Sequence, residues 1–274
     1  MTHMITWPGG AEVPALGQGT WKMGEDRSLR QGEVAALRAG LDEGLTLIDT
    51  AEMYAEGGAE EVVAEAIAGR RGEVFLISKV YPHNASGAGL PQALARSLKR
   101  LKTDVLDCYL LHWRGSVPLS DTVEAMLRMQ KAGHIRSWGV SNLDVADMEE
   151  LARADCATNQ VLLNLGERGA EFSLLPWMQA RGMPLMAYSP LGQGPLLRHP
   201  ALAAVAARHG ATPAQVALAW CIARPGVVAI PKTASAARAR ENAGAWRLRL
   251  TEEDHAALDA AFPQPRRKRP LAML

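Results

Sequence analysis

Four polar residues sit where apolar runs end. Asp49 closes Leu-Thr-Leu-Ile-Asp, Lys79 closes Val-Phe-Leu-Ile-Ser-Lys, His112 closes Val-Leu-Asp-Cys-Tyr-Leu-Leu-His, and Tyr54 follows Asp49 by five residues. An acid and a base that each end an apolar strand are costly to bury unless they pair. Once paired, the lysine charge lies within reach of Tyr54. A free phenol titrates near ~10; an adjacent ammonium favours the phenolate, draws that pKa toward neutrality and makes the phenol a general acid. Taken singly, these residues describe a structural ion pair and a loop tyrosine. Four polar groups at corresponding places in successive units describe a site.

Two further groups have chemistry of their own. Ser141, Asn142 and Gln160 carry groups that hydrogen-bond a carboxamide. The segment Lys232-Thr233-Ala-Ser-Ala-Ala-Arg238-Ala-Arg-Glu241-Asn242 runs into a helix start. Two cations and a hydroxyl near a helix N-terminus make a phosphate site.

These residues need a scaffold. Leu45–Asp49, Val74–Lys79, Val105–Leu111, Ile135–Val140, Gln160–Leu163, Pro184–Tyr188 and Val227–Ile230 read as strands, mostly apolar on both faces, as a helix-covered parallel sheet requires. Helical stretches alternate with them. Leu90, Leu94, Leu98 and Leu101 form one stripe, and Asp121, Asp144 and Thr251 (with Asp254 at N3) read as helix starts, with Gly133 as a stop. The polar residues at strand ends (Gly19, Asp49, Lys79, His112, Ser141, Asn164, Ser189 and Lys232) are separated by 30, 30, 33, 29, 23, 25 and 43 residues. The last interval holds two helices, Ala201–His209 and Pro213–Ala223. Eight even units without a composition break favour a single-domain (β/α)8 TIM barrel spanning 1–274 over a doubly wound sheet. Met4–Trp7 and Glu12–Pro14 read as an N-terminal hairpin across the barrel bottom. Thr251–Ala260 reads as an extra C-terminal helix, and Pro263–Pro270 as a mobile basic tail that serves solubility.

Composition narrows the field. The chain has 274 residues, 48% of them apolar, and carries 30 Lys+Arg against 29 Asp+Glu, so nothing in the charge suggests a nucleic-acid partner. No apolar run approaches the ~20 residues a membrane span needs. The N-terminal Met1-Thr-His-Met-Ile-Thr-Trp-Pro lacks the layout of a signal peptide, so a cytoplasmic protein is expected. Cys108, Cys156 and Cys221 read as buried thiols, with neither a disulfide framework nor zinc spacing, and no metal is expected. Gly17-Gln-Gly19 lacks the third glycine of a Rossmann fingerprint.

Asp49-Thr-Ala-Glu-Met-Tyr54, Ser78-Lys79, Leu111-His112-Trp113, Gly139-Val-Ser-Asn142, Ser189-Pro-Leu-Gly192 and Ile230-Pro-Lys232 stand in the order found in aldo-keto reductases, and the chain resembles that family from about Gly17 to Asn242. Lys79-Val-Tyr-Pro-His-Asn and His112-Trp-Arg-Gly-Ser resemble a bacterial branch of methylglyoxal and diketogulonate-type reductases. The resemblance implies Tyr54 as proton donor, Lys79 as its pKa-lowering partner, Asp49 as the carboxylate holding Lys79, and His112 as the imidazole orienting the carbonyl. It implies NADP(H), with Ser141, Asn142 and Gln160 on the nicotinamide carboxamide and Tyr188 stacked on the ring. Gly19, Thr20 and Trp21 would also meet the cofactor, and the loop of Ser189, Leu191 and Gly192 would cover the pyrophosphate. Lys232, Thr233 and Arg238 would hold the 2′-phosphate, and Glu241 and Asn242 the adenine.

Trp21 and Trp113, with Tyr81 near them, are expected to line a substrate mouth, and Arg114 to attract an anionic substrate. The short His112–Asp121 connection and the short tail imply an open pocket, and a monomer is expected. The expected reaction is NADPH-dependent reduction of small aldehydes and ketones, methylglyoxal-like and aromatic. A sugar or keto-acid substrate is the alternative reaction. A cofactor-binding regulatory barrel and an aldose-phosphate isomerase-like barrel are the alternative classes.

Overall fold

A computed structural model describes residues 3–151 and 155–274. Eight strands pair in parallel, neighbour to neighbour in chain order: β3 (Gln18–Gly19), β4 (Leu47–Asp49), β5 (Phe75–Val80), β6 (Leu106–Leu111), β7 (Ile135–Ser141), β8 (Asn159–Leu162), β9 (Leu185–Tyr188) and β10 (Val227–Ala229). The hairpin strands β1 (Met4–Thr6) and β2 (Glu12–Pro14) precede them. Parallel bridges Leu16↔Ala229 and Gly19↔Lys232 join the first barrel strand to the last and close the cylinder. Glycine lets the first strand fit between β4 on one side and the last strand on the other. A Cβ on Gly17 would lie 2.7 Å from Leu47 Cδ2, and one on Gly19 would lie 2.8 Å from the Ile230 carbonyl oxygen. The strands begin and end within about two residues of the runs read from sequence, and nearly every strand residue is buried, as a sheet covered on both faces requires.

The covering helices are α1 (Arg30–Asp42), α2 (Gly58–Ala66), α3 (Gly89–Leu101), α4 (Leu119–Lys131), α5 (Val145–Leu151), α6 (Leu174–Gln179), α7 (Pro200–His209), α8 (Pro213–Ile222), α9 (Ala236–Ala243) and α10 (Glu252–Ala261). On α3, Leu90, Leu94 and Leu101 are buried while Leu98 packs at the margin of the core. Asp121 is not the cap of α4. The helix starts two residues earlier, directly after Pro118, whose side chain offers no cap, and Asp121 places its carboxylate in the first turn, where the helix dipole favours it. Gly133, at φ +81°, follows the helix end. Asp144 accepts the first N–H of α5 at 2.7 Å, and Thr251 and Asp254 form the reciprocal cap of α10.

The hairpin lies across the N-terminal end of the barrel. Trp7 packs 5.0 Å from Phe75, the first residue of β5, and donates to Ser137 Oγ near the start of β7. The basic tail departs from its expected role. Lys268 pairs with Asp144 at 3.1 Å, Leu271 packs against the core, and the chain runs on toward the opposite end of the barrel. The apolar residues behind the basic run explain its docking. Among the described residues, no helix is long and apolar enough to cross a membrane.

Candidate active site

Strand register brings the charged pair together. Asp49 on β4 stands opposite Ile77 on β5, and Lys79 is the next residue on the same face. The Lys79 ammonium lies 2.7 Å from Asp49 Oδ2 and donates to the Thr50 carbonyl at 2.8 Å and to the Tyr54 hydroxyl at 3.2 Å. Its side chain is 0% exposed and that of Asp49 2%. Gln160 Nε2 donates to the other Asp49 oxygen at 2.8 Å, so both carboxylate oxygens are held. The loop that delivers Tyr54 is strained. Ala55 and Glu56 have φ of 50° and 51°, followed by Gly57 at 93°. Left-handed non-glycine residues cost roughly 1–3 kcal/mol each and persist where the surroundings over-determine them. Here the support lies beneath the loop: Glu60, fully buried, takes hydrogen bonds from Arg100 and from the hydroxyl of Ser78, the neighbour of Lys79.

Burial pushes the Tyr54 phenol above its usual range, and the Lys79 charge only partly offsets that push. The expectation of a lowered pKa is therefore corrected: desolvation outweighs the ammonium, and the phenol holds its proton at neutral pH. Burial opposes the Lys79 charge, but Asp49 and the Tyr54 oxygen together outweigh it and raise the lysine. His112 stands edge-on to Tyr54 with ring centroids 5.7 Å apart. Burial, then the Lys79 charge, lowers its pKa to about 2, so the imidazole is neutral; its buried Nδ1 has no hydrogen-bond partner among the described residues. The arrangement combines a proton-bearing phenol, a fixed cation beside its oxygen and a neutral imidazole across from it. It can hydrogen-bond a carbonyl oxygen and stabilise the phenolate left when the phenol gives up its proton.

These residues form the floor of a cavity of about 880 Å³. Every catalytic and cofactor residue expected from the sequence lines it except Lys79, which stands behind Tyr54, and Gly192, where a Cβ would lie 2.8 Å from Leu196 Cβ. Ser141, Asn142, Gln160 and Tyr188 come together on one wall. Ser141 Oγ donates to the Gln160 carbonyl, Asn142 Nδ2 donates to Ser141 Oγ at 3.1 Å, and the Tyr188 hydroxyl donates to Asn142 Oδ1 at 3.0 Å. Asn142 adopts φ +61° to reach them. At the far end Thr233 Oγ1 accepts from Ser235 N, and Ser235 caps α9. No side chain among the described residues forms an ion pair with Lys232 or Arg238. A cavity that runs from a wall of amide and hydroxyl groups to two cations without an ion-pair partner among the described residues suits a dinucleotide phosphate.

Arg114 does not serve the site. It pairs with Asp147 and Glu150 of α5, each at 2.6 Å, and lies outside the cavity lining. Tyr81 stands behind Trp113, edge-on at 6.0 Å, and supports it without lining the mouth. Several lining residues were missed. Lys22 holds its ammonium 4.7 Å over the Trp21 ring, and Met53, Thr212, Met273 and Leu274 complete the walls. The tail thus closes one side of a pocket expected to be open. Only Thr212 had a readable signal, the Thr-Pro-Ala-Gln pattern of a helix cap.

Fold and site together define an α/β-barrel enzyme with its chemistry at the C-terminal strand ends. Residues 15–262 match the Aldo/keto reductase family model. The chain is 53% identical over 280 residues to methylglyoxal reductase YeaE of Escherichia coli (strain K12), with 99% of each covered. It is 35% identical over 256 residues to a glyoxal reductase of Bacillus subtilis (strain 168), covering 92% of this chain and 90% of the relative. The solved structure of an aldo/keto reductase from Klebsiella pneumoniae in complex with NADP and acetate matches it with a TM-score of 0.98 at 52% identity, over 100% of both chains. The chain belongs to the aldo/keto reductase family.

Proposed function

We propose that this enzyme reduces small reactive carbonyls to alcohols with NADPH, methylglyoxal-like compounds foremost and aromatic aldehydes after them, and that Tyr54 supplies the proton. The observation that carries this reading is the buried Lys79 ammonium 3.2 Å from the Tyr54 oxygen, at the cavity floor beside a neutral His112. Bound NADPH supplies a hydride from nicotinamide C4 to the carbonyl carbon. The chain's residues do the rest. Tyr54 and His112 hydrogen-bond the carbonyl oxygen and fix its orientation. As negative charge develops there, Tyr54 gives up its proton and Lys79 stabilises the phenolate. Asp49, held by Gln160, keeps Lys79 charged and in place. A phenol with a raised pKa is well suited to this direction, because it arrives protonated and the alkoxide it meets is far more basic.

Ser141, Asn142 and Gln160 would hold the carboxamide, with Tyr188 against the ring. Gly19, Thr20, Trp21, Ser189 and Leu191 would flank the coenzyme between the strand ends, and Glu241 and Asn242 would take the adenine. Lys232, Thr233 and Arg238 would take the 2′-phosphate. Two charge-assisted hydrogen bonds at about 1.5–3 kcal/mol each support a preference for NADPH over NADH of order 10²-fold or more. Arg238→Ala should weaken NADPH binding more than NADH binding, and fluorescence titration should show that loss shrinking at high salt as the phosphate interaction is screened. Equal affinity of the wild-type protein for both coenzymes would remove this segment from phosphate recognition.

Trp21, Trp113, Met53, Met273 and Leu274 make the substrate end apolar. Few of these contacts are specific to one substituent, so carbonyl reactivity should set the ranking of kcat/KM: methylglyoxal and activated aromatic aldehydes first, open-chain sugars next, simple ketones last. Trp113→Ala should lower kcat/KM for bulky aromatic aldehydes more than for methylglyoxal, since only the former stack on the indole. A sharp preference for one sugar with methylglyoxal inert would refute this substrate class.

A further inference from the structure

At the start of α8, Thr212 lines the coenzyme cavity beside Glu241. Thr212 caps the helix. Its hydroxyl accepts the Gln215 N–H at 3.2 Å, and Gln215 Oε1 accepts the Thr212 N–H at 3.0 Å. A cap needs nothing more. Yet both side chains reach on to a second helix. The Thr212 hydroxyl spends its single proton on Glu241 Oε1 at 2.7 Å, and Gln215 Nε2 donates to the Glu241 carbonyl at 2.8 Å. The space for that second reach depends on Gly244: a Cβ there would lie 2.3 Å from Gln215 Nε2. Aspartate caps helices as well as threonine does but has no proton to give, whereas the threonine hydroxyl accepts from the helix N–H and donates to the carboxylate through one atom.

We propose that Thr212 and Gln215 are positioning residues for recognition of the adenine base. This rests on the reading of Glu241 as an adenine contact. With Oε1 occupied by Thr212 and its backbone pinned by Gln215, Glu241 presents Oε2 in one orientation, ready to accept a hydrogen bond from the exocyclic amino group. A half-buried glutamate otherwise has rotamers to lose on binding, and fixing them beforehand removes that cost. A base with a carbonyl in place of the amino group offers no proton at that exocyclic position and meets the carboxylate there with like partial charge. The bridge therefore sets selectivity for adenine, beyond the phosphate selectivity of Lys232 and Arg238.

Dissociation constants for NADPH and for its deaminated analogue, nicotinamide hypoxanthine dinucleotide phosphate, measured by fluorescence quenching, provide the test. The wild-type protein should favour NADPH by about tenfold or more, the worth of one charge-assisted hydrogen bond. Thr212→Val should shrink that ratio to within about threefold while the analogue's own affinity moves less than about twofold, because only the amino contact is lost. Thr212→Ser should keep the ratio. Gly244→Ala, which keeps the Thr212 hydroxyl and displaces the Gln215 amide, should shrink it. Equal weakening of both coenzymes by Thr212→Val and Gly244→Ala, or no weakening of either, would overturn the inference and leave the bridge a packing feature. Glu241→Ala separates the two levels. A ratio lost in Glu241→Ala but kept in Thr212→Val overturns the positioning role alone, whereas a ratio that survives Glu241→Ala overturns the adenine reading of Glu241 and the inference with it.

Discussion

Tyr54→Phe is expected to lower kcat at least about 10²-fold, the low end of what a positioned general acid contributes, while NADPH binding and thermal stability stay at wild-type values. The substitution removes one oxygen. Its ring keeps the edge contact with His112 and the face that meets the Lys79 ammonium at 4.8 Å. The missing oxygen is the atom the ammonium touches and the one group at the cavity floor that both carries a transferable proton and has a fixed cation to receive its charge. His112 does not substitute for it, because an imidazole lowered to about 2 holds no second proton to give at neutral pH. Steady-state turnover with methylglyoxal and coenzyme titration on the same preparation separate loss of chemistry from loss of binding. Turnover near the wild-type value would remove Tyr54 from the mechanism.

Lys79→Met should cost turnover and stability together. Methionine leaves Asp49 charged, fully buried and without its cation, and breaking a buried pair on one side costs about 3–5 kcal/mol. That cost depends on pH with a definite sign. Burial already raises the Asp49 carboxyl above its ordinary value. Without the lysine it rises further, so the folded variant binds a proton that the unfolded chain releases, and its stability falls as pH rises above the unfolded carboxyl pKa. Chemical denaturation should therefore find the variant closer to wild type near pH 5 than near pH 8. Asp49→Asn combined with Lys79→Met removes both charges and should regain much of the stability, but not the turnover, since the phenolate still lacks its cation. A single Lys79→Met variant as stable as wild type at pH 8 would contradict the buried pair.

Seven of the barrel strands were legible because most are apolar on both faces and lead to a polar residue at or near their end, a pattern that barrel closure imposes locally. The charged pair was legible for the same reason: an acid and a base at corresponding strand ends have few ways to be buried except together. What escaped depends on contacts that sequence separation hides. Arg114 follows Trp113 and looks directed at the mouth, yet Asp147 and Glu150, a helix away, turn it aside. Leu271, Met273 and Leu274 follow a basic run and show no periodicity, so their docking through Lys268 and Asp144 has no local signature. The direction of the Tyr54 shift was misread because proximity to a cation is visible in the spacing of motifs, whereas the depth of burial that outweighs it is a property of the assembled barrel. Asp121 failed as a cap because Pro118 had already started the helix.

A single-turnover reaction with NADPH carrying deuterium at both nicotinamide C4 positions, and methylglyoxal as substrate, tests the proposed chemistry most directly. Mass spectrometry of the product alcohol should find one deuterium bonded to the new carbinol carbon, retained in full in ordinary water, with the coenzyme oxidised in equal amount. An alcohol without deuterium, or no oxidation of the coenzyme by methylglyoxal or any other small aldehyde, would contradict carbonyl reduction at this site.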